Sequence, residues 1–447
     1  MSRGERSTGA AGGGIGEVRD DFVPAGDYTS RAFAELENER LWPRVWQMAC
    51  REEDIPNLGD YYTYDIVDDS IIVVRSGPDE IKAFHNVCPH RGNRLTSGKG
   101  HVKRFRCSFH GWQFELDGAP EYVVDRQDWG SCLSEEDITL VPVRVGRWGG
   151  WIYINMDADC EDFESFMAPA LAVHAPLKME GLRYHWIKSA VVPCNWKAVL
   201  GMFNEAYHLQ ATHSQMLPYW DDYTASYARG RHAMFRYEDT LPPGLPSKRL
   251  STNPAEVDMR QGLIDYIKDV DQTLKTSEAV LMAGVVDRLV DEVPREAEPI
   301  EVLMKLAQIT AEDMAARGID SPAVTPEQLH ELGSDWHVFP NHIMITSPNA
   351  CLAYRSRPNG HDPDSAIWDV YSLLRYPSGQ EPTVEQEWCN DLADEEAWPK
   401  ILRQDFSNMV GVQKGMKSRA FKGARTNPKQ EVPVSHLHRT LREFMEG

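Results

Sequence analysis

Basic charge is what this sequence has least of: 47 Lys and Arg stand against 68 Asp and Glu, a formal net charge of −21. A surface of that sign repels phosphate backbones and anionic headgroups, which excludes a nucleic acid or an anionic membrane as the main partner. No run approaches the roughly 20 apolar residues that span a bilayer, and the amino terminus has no apolar signal core, so a cytoplasmic location is expected. Nucleotide fingerprints are missing too. Gly12-Gly13-Gly14-Ile15-Gly16 follows no strand and opens no helix pattern, and residues 1–20 are expected to be a loosely draped tail. Cysteine is sparse, with eight in 447 residues, so the thiols are expected to be free or metal-bound rather than paired as staples. Only Cys88 and Cys107 lie beside histidines at ligand spacing. Cys50, Cys132, Cys160, Cys194, Cys351 and Cys389 read as core or surface thiols.

What is present changes character along the chain. Short strands broken by turn residues are expected at Tyr61–Asp65, Ile71–Arg75, Ile81–Asn86, Trp112–Leu116 and Gly150–Asn155, which makes a small antiparallel β domain. A strand at Tyr184–Val192 then leads into a helix from about Trp196 to Leu209. Apolar residues at helical spacing follow in Leu263, Ile264, Ile267, Val270 and Leu274, and again in Leu303, Met304, Leu306 and Ile309. Thr325-Pro326-Glu327-Gln328 has the form of a capping box. Strands return at Trp336–Ser347, Cys351–Arg357 and Ile367–Tyr376, before a long helix from about Val384 to Arg419. The layout is α+β. The expected domains are a tail and lead-in helix over 1–44, a β domain over 45–160, and a second domain over 161–447 with a helical insert at about 255–335.

Two constellations carry chemistry. Cys88-Pro89-His90-Arg91-Gly92 and Cys107-Ser108-Phe109-His110-Gly111-Trp112 give Cys-x-His, sixteen residues, then Cys-x-x-His. Two thiolates and two imidazoles on separate loops can hold a 2Fe-2S cluster, with both Cys on one iron and both His on the other. A Cys2His2 zinc site shares this ligand set, but Cys-x-His is tighter than the usual zinc spacing of two to four residues. The second constellation runs through Phe203-Asn204-Glu205-Ala206-Tyr207-His208-Leu209-Gln210-Ala211-Thr212-His213. On a helix, Glu205 and His208 share a face, and a break near Ala211 or Thr212 would return His213 to it. Taken alone, such residues are more often surface groups.

The CPHRG and CSFHGW loops resemble the Rieske ferredoxin fold. Glu-x-x-His-x4-His after Asn195-Trp196-Lys197 resembles the mononuclear iron motif of the Rieske non-haem iron ring-hydroxylating oxygenases, catalytic (alpha) subunits. The resemblance spans nearly the whole chain, the insert being its least matched part. It implies a helix-grip-like catalytic domain with an antiparallel sheet, a Rieske 2Fe-2S cluster on Cys88, His90, Cys107 and His110, and a mononuclear Fe(II) on His208, His213 and a carboxylate of the final helix. Asp405 in Gln404-Asp405-Phe406 resembles that carboxylate's place better than Asp391, Asp394 or Glu396, whose acidic run reads as a solvated helix face. Glu205 is implied to couple His208 to His110 of the neighbouring subunit in a head-to-tail ring, a homotrimer, with a small beta subunit as an option. The family often has Glu-Asn-Phe where Gly201-Met202-Phe203 stands here, which weakens inference about substrate.

The resemblance implies a terminal oxygenase fed by a separate NAD(P)H-dependent reductase, with or without a ferredoxin. It would use dioxygen on a small apolar or aromatic substrate. Dihydroxylation, monohydroxylation and oxidative demethylation all use the same ligands. Phe203, Leu209, Met216, Leu217, Tyr219 and Trp220 are candidate pocket residues, and the insert a lid or a subunit contact. A pure electron carrier needs only the first β domain and would leave the whole second domain without a role, and a zinc scaffold remains the reading of a different class.

Overall fold

Asp69–Arg75 contains four successive apolar residues, and the fold uses both faces of this strand. Ile71 and Val73 enter the main core, while Ile72 and Val74 pack on a smaller cluster with Cys88, Cys107 and Trp112. A strand buried on both sides needs such a continuous run. Among residues 16–446, which the computed structural model describes, it belongs to a seven-stranded antiparallel sheet. The expected strands here are present as Asp60–Ile66, Asp69–Arg75, Ile81–His85 and Trp151–Asn155, joined by Pro142–Trp148, which was not anticipated. The expected Trp112–Leu116 strand is only Gln113–Phe114, in a separate three-stranded sheet beside the two cysteine loops.

The second sheet has eight strands among the described residues. Arg183–Val192 pairs antiparallel with Asp362–Leu374, and that strand with Ala350–Asn359. His342–Thr346, Asp335–Val338, His232–Tyr237 and Thr224–Arg229 follow in order. The expected strand over 336–347 is thus two, separated at Pro340. The hairpin Thr224–Arg229/His232–Tyr237, closed at Gly230 with a positive φ, was missed. Its brevity and single glycine gave little signal.

The insert is helical as expected, with Met259–Thr273 and Pro299–Arg317 its longest helices. Leu263, Ile264, Ile267, Val270, Val302 and Ile309 share one buried cluster. Met304 differs from expectation and is exposed, because the buried face of its helix runs through Val302 and Ile309. Thr325 and Gln328 form the expected capping box.

The single terminal helix expected over 384–419 is instead Lys400–Met416, followed by a second helix, Val432–Glu446. Proline at 399 disfavours helical backbone at the residue before it. Asp394 accepts from the amides of Glu396 and Ala397, so the acidic run is a solvated turn rather than a helix face. No described helix is long and apolar enough to cross a membrane. Residues 1–15 lie outside the described residues, and so does the tail expectation for them. From Gly16 onward the chain is docked, not draped: Arg442 donates to the Gly16 carbonyl, Thr426 Oγ1 to the Asp20 carbonyl at 2.7 Å, and Arg439 pairs with Asp20.

Two buried ion pairs fix the parts that carry the candidate sites. Arg355 and Asp369, both fully buried, meet at 2.8 Å on neighbouring strands of the second sheet. The same guanidinium donates to the Met48 and Ala49 carbonyls of the first sheet. Lys197 and Glu37 join the helix Trp196–Gly201 to the lead-in helix Arg31–Arg40. Breaking one partner of such a pair leaves an uncompensated buried charge, so these contacts hold relative placement firmly.

Candidate metal centres

The two cysteine loops are built alike. In each, the Cys carbonyl accepts from a glycine amide four residues on, Gly92 or Gly111, at 2.9 Å. Each Cys amide then donates at 2.8 Å to the carbonyl of the residue after that glycine, Asn93 or Trp112. Gly92 and Gly111 have φ of +76° and +75°, a left-handed turn that other residues adopt only with strain. This is the physical reason for the glycine after each histidine.

The turns bring Cys88 and Cys107, both buried, against each other. Burial pushes the Cys88 thiol up to about 11. Burial acts on Cys107 too, but hydrogen bonds from the backbone amides of Phe109 and His110, with Cys88 and Asn93, together bring its pKa below the ordinary thiol value. The His90 and His110 rings lie 4.5 Å apart, and His90 stacks on Trp112. Nδ1 of each histidine is buried and has no hydrogen-bond partner. Two facing sulfurs and two orphaned imidazole nitrogens are the donor set a 2Fe-2S cluster takes. A single zinc ion would gather at least three donors in one sphere. Among the described residues only His208, His213 and Asp405 come so close, and no trio from the cysteine loops does.

The second constellation departs from the expected helix. Trp196–Gly201 is helical, capped by Asn195 Oδ1 accepting from the Lys197 amide, but residues 202–208 are turns. Glu205 and His208 therefore do not share a helical face. The Glu205 carboxylate itself closes the turn, accepting from the amides of Tyr207 and His208, and such local bonds compete with helix. Its other oxygen lies 2.7 Å from His208 Nδ1. Leu209–Thr212 is the next short helix, and it ends at His213, close to where a break was expected.

The aspartate at 405 projects from Lys400–Met416, a helix near the other end of this domain in sequence. Its Oδ1 lies 2.9 Å from His213 Nε2 and 3.6 Å from His208 Nε2, and the three ligand atoms fall within 4.8 Å of one another. Glu205, His213 and Asp405 are buried, which removes the surface-group reading. Asp391, Asp394 and Glu396 are exposed and outside the trio. Two imidazoles and one carboxylate converging within 4.8 Å are the donor set that suits non-haem Fe(II). Burial disfavours a charged His208, but Glu205 and Asp405 outweigh it and raise its pKa to about 9. A metal ion entering here displaces that proton.

Each histidine is oriented from behind. Glu205 holds His208, while Gln404 Oε1 lies 3.0 Å from His213 Nδ1 and accepts from Gln215 Nε2 at 2.8 Å. Gln404 was not singled out from sequence, although its place next to Asp405 was the available signal. Gln404→Leu is expected to weaken iron affinity about 10–100-fold while leaving the cluster's visible spectrum unchanged. Metal analysis of dialysed protein measures this, and unaltered iron retention would remove the positioning role.

The trio lies on the wall of a cavity of about 400 Å³. Phe203, Leu209, Met216 and Trp220 line it as expected; Leu217 and Tyr219 do not. Tyr219 instead donates to Asp269 at 2.5 Å and ties the insert down. The insert supplies Tyr266 and Val270 to the cavity, and the second sheet Phe235, Tyr237, Leu352 and Tyr354.

Residues 173–447 match the family model described as ring hydroxylating alpha subunit (catalytic domain), and residues 45–128 that of the Rieske [2Fe-2S] domain. The chain belongs to the Rieske ring-hydroxylating alpha-subunit family. Members carry a Rieske 2Fe-2S cluster and a mononuclear non-haem iron, and both donor sets above fit those groups. The chain is 30% identical over 232 residues to the carnitine monooxygenase oxygenase subunit of Escherichia coli K12, a stretch covering 48% of this chain and 62% of that one. To the glycine betaine monooxygenase oxygenase subunit of Chromohalobacter salexigens it is 28% identical over 405 residues, 90% of this chain and 81% of that one. The fold is shared with naphthalene 1,2-dioxygenase from Rhodococcus sp., at a TM-score of 0.62 and 19% identity over 95% of this chain and 94% of that one.

Proposed function

We propose that this member of the family is a terminal oxygenase that hydroxylates an apolar, ring-bearing substrate. The observation that carries the reading is the convergence of His208, His213 and Asp405 within 4.8 Å on the wall of an aromatic-lined cavity. When bound, the cluster supplies electrons one at a time and the mononuclear iron activates dioxygen for insertion into a C–H or C=C bond.

The chain's own residues do the rest. His208, His213 and Asp405 would hold the metal at the wall of the cavity. Glu205 and Gln404 fix the ring planes by taking the Nδ1 protons, so that both Nε2 lone pairs point to the same place. Phe203, Trp220, Phe235 and Tyr266 exclude water and receive a ring. Cys88, His90, Cys107 and His110 hold the cluster. Within one subunit Glu205 contacts only one of the two histidines it is implied to join, so the coupling we assign it runs to His110 of a neighbouring subunit. The assembly is then a head-to-tail ring, a homotrimer, with a separate NAD(P)H-dependent reductase as electron source.

A second reading is monooxygenation, in keeping with the relatives named for carnitine and glycine betaine. The lining contains no Lys or Arg among the described residues, so the carboxylate of such a zwitterion would lack a counter-ion, which favours the ring substrate. Turnover under isotopically labelled dioxygen, with a reductase supplied, decides between them. Label in hydroxylated products from a panel of arenes supports the proposal; demethylation of the betaines alone would favour the second reading, and iron-replete protein without oxygen uptake on either panel would overturn both.

A further inference from the structure

Asp335 opens the strand Asp335–Val338 and stands directly opposite Phe235 across the antiparallel pair, so both side chains lie on the cavity face of the sheet. Tyr237, two residues beyond Phe235, shares that face. Asp335 is 1% exposed, and its Oδ2 is buried without a hydrogen-bond partner. No described residue donates to the carboxylate, and no Lys or Arg lines the cavity to balance it. Burial, with the field of Glu205, pushes its pKa well above the carboxylate range.

A buried acid without a partner costs free energy whether it is charged or neutral. At a strand position between Phe235 and Ile345, an apolar residue would pack without that cost. Asp335 lines the cavity, so a molecule bound there is placed to supply a partner to its carboxylate. Resting on the reading above, we infer that Asp335 is a specificity-determining residue which pairs with an O–H or N–H donor carried by an otherwise apolar ring substrate. A hydroxyl satisfies this group in either protonation state, since it donates to the carboxylate and accepts from the acid. A quaternary ammonium offers no N–H or O–H hydrogen, and a bare arene leaves the carboxylate unpaired. Sites built around a buried polar group reject analogues that lack its partner far more strongly than apolar pockets reject a change of shape.

The test is equilibrium binding to the iron-replete holoenzyme without oxygen or reductant, followed by calorimetry, with naphthalene, 2-naphthol and 2-naphthyltrimethylammonium as probes. We expect 2-naphthol to bind at least about tenfold more tightly than naphthalene. In Asp335→Leu the preference falls to about one, and Asp335→Asn, which retains hydrogen-bonding capacity, keeps part of it. Equal affinities for the two neutral probes in the wild-type protein would overturn the inference without recourse to any variant. So would a preference that survives Asp335→Leu, or a trimethylammonium probe that binds most tightly and depends on Asp335. Iron content measured on the same preparations separates the two levels: protein that cannot hold the iron sinks the proposed function, whereas iron-replete protein without the preference sinks only the role of Asp335.

Discussion

Asp405→Ala is expected to lose its mononuclear iron and its turnover together, while the cluster spectrum stays that of the wild type. The carboxylate supplies the only negative charge among the three converging ligand atoms and is buried. Removing one member of a buried charge pair costs about 3–5 kcal/mol, or a factor of roughly 10² to 4 × 10³ in affinity. The four cluster donors sit on loops that Asp405 does not touch, so the red-brown cluster chromophore reports folding independently of the lost site. Iron counted per chain, beside the visible spectrum and oxygen uptake, checks this. Retained iron and activity would place the third ligand elsewhere.

Glu205→Gln separates holding the metal from feeding it. Glutamine keeps the size of the side chain and its amide oxygen can still close the turn at Tyr207 and His208, but the charge facing His208 Nδ1 is gone. Both metals are expected to remain bound, while steady-state turnover falls by about 100-fold, the upper end for loss of a carboxylate behind a metal-binding histidine. The informative measurement is a single turnover from the reduced cluster, followed at the cluster's own absorbance. Slow reoxidation with normal substrate affinity supports transfer through Glu205; unimpaired reoxidation would reduce it to a positioning residue.

Legibility in the sequence followed the range of the interactions. Cys88, His90, Cys107 and His110 lie on two loops close together in the chain, and each loop is closed by its own glycine, so spacing is enough to pick them out as candidate donors. Glu205, His208 and His213 were readable as a group for the same reason, but their backbone was not. A helix over 196–209 follows from pattern, yet the Glu205 carboxylate takes the amides that the helix would need. The helix expected from Val384 failed at Pro399, with Trp398 buried and bonded back to the Cys389 carbonyl.

Read without the fold, the chain already shows two groups of candidate metal donors of different composition, an α+β layout and a net negative charge. Those properties live in local spacing and in composition, which no folding step rearranges. Which acid meets His208 and His213, that Gln404 stands behind one of them, and that Asp335 faces the same cavity without a partner all follow from the packed fold. Asp405 is brought to the histidines from a distant part of the chain by the packing of a helix, and Asp335 by the register of two strands with the insert between them. Contacts of that kind are set by which surfaces bury together, and a linear pattern of residue types does not contain that choice.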